Sequence, residues 1–264
     1  MVYRKSLEEI AAMRRGGRIL GGIMERLGPA VRPGVTTAEL DALAEELILA
    51  AGARPSAKGY RGFPGAICTS PNEVVVHGIP GPIRLDDGDI VSLDVAILYE
   101  GFHVDNAATY AVGNIDSEAA RLLSVTESSL VAAIAQCRPG NRLGDVGHAA
   151  QEVIEGAGFS VVRGYAGHGV GRSFHEDPAV PNHGPPGRRE VLRPGMTIAI
   201  EPMVIAGAPD TKVLDDGWTV VSADGSLAAH FEHTVAITDG GCEVLTDRVG
   251  GHASSGHQTT SEVV

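Results

Sequence analysis

Aromatic residues make up only 4% of this 264-residue chain, so a binding surface built from rings has few residues to draw on. Cysteine is scarcer still. Cys68, Cys137 and Cys242 are widely spaced and odd in number, which argues against a disulfide framework or a cysteine-type zinc site and makes a reducing cytoplasm the natural compartment. Basic side chains are in deficit, 21 Lys+Arg against 33 Asp+Glu, and the formal net charge of -12 disfavours general affinity for nucleic acid or an anionic membrane. The cluster Arg14, Arg15 and Arg18 is read as a solvated helix face rather than a binding patch. No apolar run approaches membrane-spanning length. The start Met1-Val2-Tyr3-Arg4-Lys5 is followed by a charged, amphipathic stretch, which lacks the continuous apolar region expected of a secretory signal.

Hydrophobic residues at 43% and charged residues at 20% suit a globular chain with a substantial core. Apolar Leu7, Ile10, Ala11, Leu20, Ile23, Met24 and Leu27 recur at helical spacing and predict a helix over Leu7 to Leu27. A second helix is expected from Thr36, with Glu39 three residues on as a capping box and Gly52 as a stop. Further helices are expected after Asp116 and Leu143.

The chain echoes itself. Arg32-Pro33-Gly34 returns as Arg138-Pro139-Gly140, each before a helix, and the stretch from Leu85 to Asp94 lines up with Leu192 to Glu201. The two matches have nearly one offset and the same context: a loop before a helix, then a Gly turn before an apolar strand ending in an acid. We read two related α+β halves, about 7–113 and 116–248, within one domain over 1–248. The Gly-, Ser-, Thr- and His-rich stretch 249–264 is expected to be a disordered tail.

Ile90 to Leu98 and Phe102 to Val112 alternate like strands around Tyr99-Glu100-Gly101, which predicts a hairpin. Folded about that turn, Asp94 and Asp105 become cross-strand neighbours on one face. Two carboxylates side by side are unfavourable unless a cation lies between them. Glu201, in Ile200-Glu201-Pro202-Met203, and Glu232, in Phe231-Glu232-His233-Thr234, are again acids at the ends of apolar strands. His168, between Gly167 and Gly169, and His175 in Phe174-His175-Glu176 are the imidazoles near them in sequence. Four carboxylates and one imidazole are mostly hard ligands, suited to Mn, Fe, Co or Zn rather than to a structural zinc.

These motifs, with Val76-His77-Gly78-Ile79-Pro80, Leu93-Asp94-Val95, Gly167-His168-Gly169-Val170-Gly171 and, less closely, His103-Val104-Asp105, are together similar to the type I methionine aminopeptidases of the pita-bread fold. The resemblance runs from about Leu7 to Arg248. It implies two pseudo-symmetric halves, each with helices packed on an antiparallel sheet. It implies two divalent metal ions held by Asp94, Asp105, His168, Glu201 and Glu232, with Asp105 and Glu232 bridging. His77, His175 and Glu201 would be the catalytic groups, and Tyr60, Phe63, Cys68, Phe174 and Trp218 would join His77 and His175 in binding a methionine side chain. Val104 and Asn106 depart from the family at the two positions that flank Asp105.

The implied activity is removal of the initiator methionine from nascent polypeptides with a small second residue. The partners would be nascent N-termini, with the ribosome as a candidate and a monomer as the expected state. Two rivals stand beside this reading. A proline dipeptidase-like hydrolase usually carries an additional N-terminal domain, for which the motif-bearing region leaves no room. A metal-free interaction module would have lost ligand residues, and all five are present.

Overall fold

The computed structural model describes residues 2–247. The expected tail at 249–264 lies outside the described residues, as do Met1 and Arg248. The helices are α1 (Leu7–Leu27), α2 (Thr37–Ala50), α3 (Ser117–Ala135) and α4 (Leu143–Gly156). The strands of the first half are β1 (Arg54–Pro55), β2 (Cys68–Pro71), β3 (Val74–Val76), β4 (Ile90–Tyr99) and β5 (Phe102–Ala111). Those of the second are β6 (Ser160–Val161), β7 (Gly167–Gly169), β8 (Glu176–Val180), β9 (Thr197–Ile200) and β10 (Met203–Ile205). They continue with β11 (Thr211–Val213), β12 (Val220–Ser222), β13 (Ala228–His230), β14 (Glu232–Thr238) and β15 (Gly241–Val244).

The first two helices start where side chains replace the missing backbone partners of the first turn. Ser6 caps α1 and Thr36 caps α2, each in a reciprocal box with a glutamate, Glu9 and Glu39. Thr36 is therefore the cap, and α2 proper begins one residue later than expected. The buried stripe of α1, from Ile10 and Met13 through Leu20 and Met24 to Leu27, packs on β4 and β5. Helices α3 and α4 pack on each other in the second half. Arg14 of the α1 basic cluster pairs with Glu243 and Arg15 with Glu100, so two of its three charges are locally neutralised. Among the described residues no helix is long and apolar enough to cross a membrane.

The sequence echo reappears in the hydrogen bonds. Thr36, at the start of α2, bridges Arg84, and Arg142, at the start of α4, bridges Val191. Gly34 N donates to Leu85 O and Gly140 N to Leu192 O. Leu85 N donates to Val35 O and Leu192 N to Asn141 O. Each of these three links in the first half thus has a counterpart 106 or 107 residues later, which is the spacing of the repeated motifs.

Both halves feed one nine-stranded sheet in the order β1-β4-β5-β14-β9-β7-β8, with β2 beside β4 and β15 beside β14. The hairpin register differs from the sequence expectation. Tyr99 pairs with Phe102, and the turn is only Glu100-Gly101, both at positive φ, the tight geometry that matches strand twist. Asp94 therefore stands opposite Ala107, and Asp105 opposite Ala96. The two acids are diagonal neighbours rather than a direct pair. A slip of two residues keeps both on one face, because side chains alternate with period two.

Candidate metal centre

The register gathers the acids from three strands. Ala107 of β5 pairs with Asp94 on one side and with Glu232 on the other. Ile200 is opposite His233, so continuing that ladder by one residue sets Glu201 against Glu232. Asp105 is on the same face as Ala107, two residues away. His168 comes from β7, on the far side of β9. A Cβ on Gly167 would lie 2.3 Å from Ala199 O, and one on Gly169 would lie 2.2 Å from Asp177 O. Glycine on both sides is thus what lets His168 sit so close to its neighbouring strands.

His168 is oriented by its own backbone. Nδ1 donates to Gly169 O at 2.8 Å, which leaves the Nε2 lone pair aimed at Glu201 Oε1, 3.6 Å away, and Asp105 Oδ2, 3.8 Å away. A lone pair facing two carboxylates is repulsive unless a cation lies between. Asp105 and Glu232 are 3% and 2% exposed, and Asp105 Oδ1 and Glu232 Oε1 have no hydrogen-bond partner among the described residues. Ligand atoms of Asp105, His168 and Glu232 all lie within 4.8 Å of one another.

The charge balance agrees. Burial pushes the Asp94 carboxyl up to about 6. It drives Asp105 well above the usual carboxylate range, helped by the charge of Asp94. Glu201 and Glu232 are raised in the same way, by burial first and then by Asp105 and the other acids. Four buried acids that resist ionising together become a favourable site once a divalent cation is added. The donor set of hard oxygens and one imidazole nitrogen fits such an ion.

All twelve residues singled out from the sequence line one cavity of about 250 Å³. Phe63 and Trp218 meet edge to face at 5.2 Å, and Tyr60 stacks on His175 at 5.2 Å. His175 packs on His168 with ring centroids 4.1 Å apart. Burial, then the neighbouring His168, lowers His175 to about 3, and burial lowers His77, so both rings are neutral donors or acceptors at neutral pH. His77 adopts a φ of 59°, a conformation uncommon outside glycine that accompanies its ring's place in the cavity wall.

Several groups here escaped the sequence reading. Arg61, Tyr165 and Met203 also line the cavity. Asn182 Nδ2 donates to Glu201 O. His230 is 1% exposed, its Nε2 has no hydrogen-bond partner among the described residues, and it lies 3.8 Å from Glu201 Oε2, so Glu201 sits between two imidazoles. Nothing in the sequence pattern pointed to His230, two residues before Glu232, as a second neighbour of Glu201. Asn106, opposite His233, donates through Nδ2 to Glu232 O and contacts His233 Nδ1 at 2.9 Å.

The chain is similar to known proteins in sequence and in fold. The sequence pattern of metallopeptidase family M24 matches residues 11–239. A methionine aminopeptidase of Clostridium perfringens is 52% identical over 93% of this chain and 99% of its own length. Methionine aminopeptidase 1 of Bacillus subtilis is 50% identical over the same shares. The crystal structure of methionine aminopeptidase from Thermotoga maritima superposes with a TM-score of 0.92 at 45% identity, covering 94% of this chain and all of that one. The two-half α+β architecture is the pita-bread fold expected from the motifs. A buried carboxylate and imidazole cluster, on this fold and with this family match over most of its length, places the chain in metallopeptidase family M24.

Proposed function

We propose that this chain removes N-terminal methionine from newly made polypeptides whose second residue is small. In this reading Asp94, Asp105, His168, Glu201 and Glu232 would hold two divalent ions drawn from Co, Mn, Fe or Zn, which would supply Lewis-acid chemistry. The observation that carries it is the pair of buried oxygens, Asp105 Oδ1 and Glu232 Oε1, that lack a hydrogen-bond partner among the described residues, beside the Nε2 lone pair of His168. The names carried by relatives at about half identity over the whole chain support methionine as the residue removed.

The chain's own residues do the rest. Glu201, held through its backbone carbonyl by Asn182, carries a proton toward the leaving amine. His175 and His77 reach into the cavity as neutral imidazoles and steady the carbonyl oxygen and the scissile amide. Tyr60, Phe63, Cys68, Phe174 and Trp218 form an apolar wall suited to an unbranched, polarisable thioether. Nascent N-termini in the cytoplasm are the partners this reading assigns, with a monomer over 1–248 as the catalytic unit and the ribosome as a site of encounter.

A proline dipeptidase-like activity fits less well with relatives of this identity, and a metal-free binding module fits poorly with a preserved acid cluster. The deciding measurement is methionine released from a Met-Ala-Ser peptide across a series of divalent ions, with metal content determined on the same samples. No release with any ion and no stoichiometric metal would refute the proposal.

A further inference from the structure

Residues 3–9 open the first half of the chain, yet they are fastened to the second. Lys5 N donates to Gly195 O at 2.6 Å, and Arg4 Nε donates to Pro194 O at 2.7 Å. Pro194-Gly195 is the turn that leads into β9 and so toward Glu201. One turn into α1, Glu9 accepts from Arg172 at 2.6 Å and from the Tyr3 hydroxyl at 3.1 Å. The N-terminal segment is thus a strap fastened to Gly171, Arg172 and Glu176, at the two ends of the loop that carries Phe174 and His175.

The Lys5 side chain is the inner contact of that strap. Its side chain is 1% exposed, and Nζ donates to Glu176 Oε2 at 2.5 Å. The other oxygen, Glu176 Oε1, accepts from Ser173 N at 3.0 Å. One carboxylate therefore closes the turn Ser173-Phe174-His175-Glu176 and is itself held by a buried ammonium. At its other end the loop is tied to β5, where His103 N donates to Gly171 O at 2.7 Å. A Cβ on Gly171 would lie 2.3 Å from Lys5 Cε, so the lysine stem and the loop backbone are in direct contact.

A buried ion pair is a poor source of net stability, because desolvating both charges offsets their attraction. What it does supply is a fixed geometry, since neither charge can move without losing its partner. The object fixed here is the turn that carries Phe174 and His175 into the cavity. We propose that Lys5 is a positioning residue for His175, acting through Glu176, and that the N-terminal strap makes this half of the cavity rigid. The inference rests on the catalytic reading of His175 given above. A misplacement of about 1 Å at such a group costs roughly a hundredfold in rate, so even partial loosening of the turn is measurable.

The test uses the full chain as Lys5→Met, Glu176→Gln and the double variant, each loaded with the ion that best supports the wild type. Steady-state rates on Met-Ala-Ser are compared with amide exchange of residues 171–176 in the metal-free proteins. Either single change lowers kcat about tenfold with KM within about threefold. The double loses no more than the worse single, because both changes cut one linkage. Exchange in 171–176 quickens in all three. A wild-type kcat in either folded single variant, even with a lowered melting temperature, overturns the proposal, as do losses that multiply in the double. If Lys5→Met does not fold, Glu176→Gln, which keeps the side-chain shape, decides by the same two readouts. A wild type that releases no methionine refutes the catalytic reading instead, and unchanged exchange in the variants refutes the strap.

Discussion

Thr109 and Thr234 perform the same task at opposite ends of one short ladder. Strands β5 and β14 share only the pairs Glu232 with Ala107 and His233 with Asn106. Beyond one end, the Thr234 hydroxyl accepts from Asp105 N at 2.8 Å and donates to Asp105 O at 2.9 Å. Beyond the other, the Thr109 hydroxyl accepts from His230 N and donates to His230 O, both at 2.9 Å. Each hydroxyl replaces the backbone partner lost where the strands part. The strands are wedged open at Asp105 and at His230, the residues that flank Glu232 and Glu201.

Thr234→Val keeps the shape and removes that bridge. It strands a buried donor and acceptor on Asp105, so stability falls by about 1–3 kcal/mol in denaturant titration. Metal affinity falls as well, because Asp105 loses its anchor. A variant with wild-type affinity would assign Thr234 to the fold alone.

Glu201→Gln keeps the side-chain shape and removes the carboxylate to which the proposal assigns the proton. The expected loss is about 10²–10⁴ in kcat on Met-Ala-Ser, with an unchanged circular dichroism spectrum. Near-normal turnover would take the proton role away from Glu201.

Asn106→Ala frees the carbonyl of Glu232 and the ring of His233. Removing such an outer partner of a ligand is expected to weaken metal binding about 10–100-fold, read by calorimetry. Unchanged binding would mean that the strand pairing alone orients Glu232.

Chelation changes the sign of the pH dependence. Without metal, the folded-state pKa of Asp94 rises from 3.8 to about 6, and those of Asp105, Glu201 and Glu232 rise too. A carboxyl raised on folding contributes stability that is fully present below its unfolded pKa and lost as pH climbs through its folded one. The metal-free protein therefore melts at a lower temperature at pH 7.5 than at pH 5, the Asp94 part of the loss falling between about 4 and 6. Added divalent ion raises the melting point most at the higher pH, where it competes with fewest protons. Equal melting of the chelated protein at both pH values would contradict the buried-acid account.

Phe63 is 3% exposed and packs on Trp218. Phe63→Ala opens the apolar wall, and KM for Met-Ala-Ser is expected to rise about tenfold, a loss of about 1.4 kcal/mol of binding. Unchanged discrimination between Met-Ala-Ser and Ala-Ala-Ser would place selectivity elsewhere in the cavity.

Much of this was readable in the amino-acid order, because local chemistry carries it. Ser6 with Glu9 and Thr36 with Glu39 mark helix starts by bonds that span three residues. The alternation around Glu100-Gly101 sets which face Asp94 and Asp105 share, since parity along a strand is a local property. The repeat of Gly34 at Gly140 and of the Gly turn at Gly195 announced two related halves, and their hydrogen bonds recur at that spacing. Partners distant in sequence leave no such periodic trace. Only the tertiary structure decided that Asp94 faces Ala107 rather than Asp105, because the turn's conformation sets the register. It alone brought Lys5 to Glu176 across 171 positions and His230 to Glu201. Those meetings depend on how strands diverge and which surfaces dock, and burial then turned separate polar residues into one strongly coupled site.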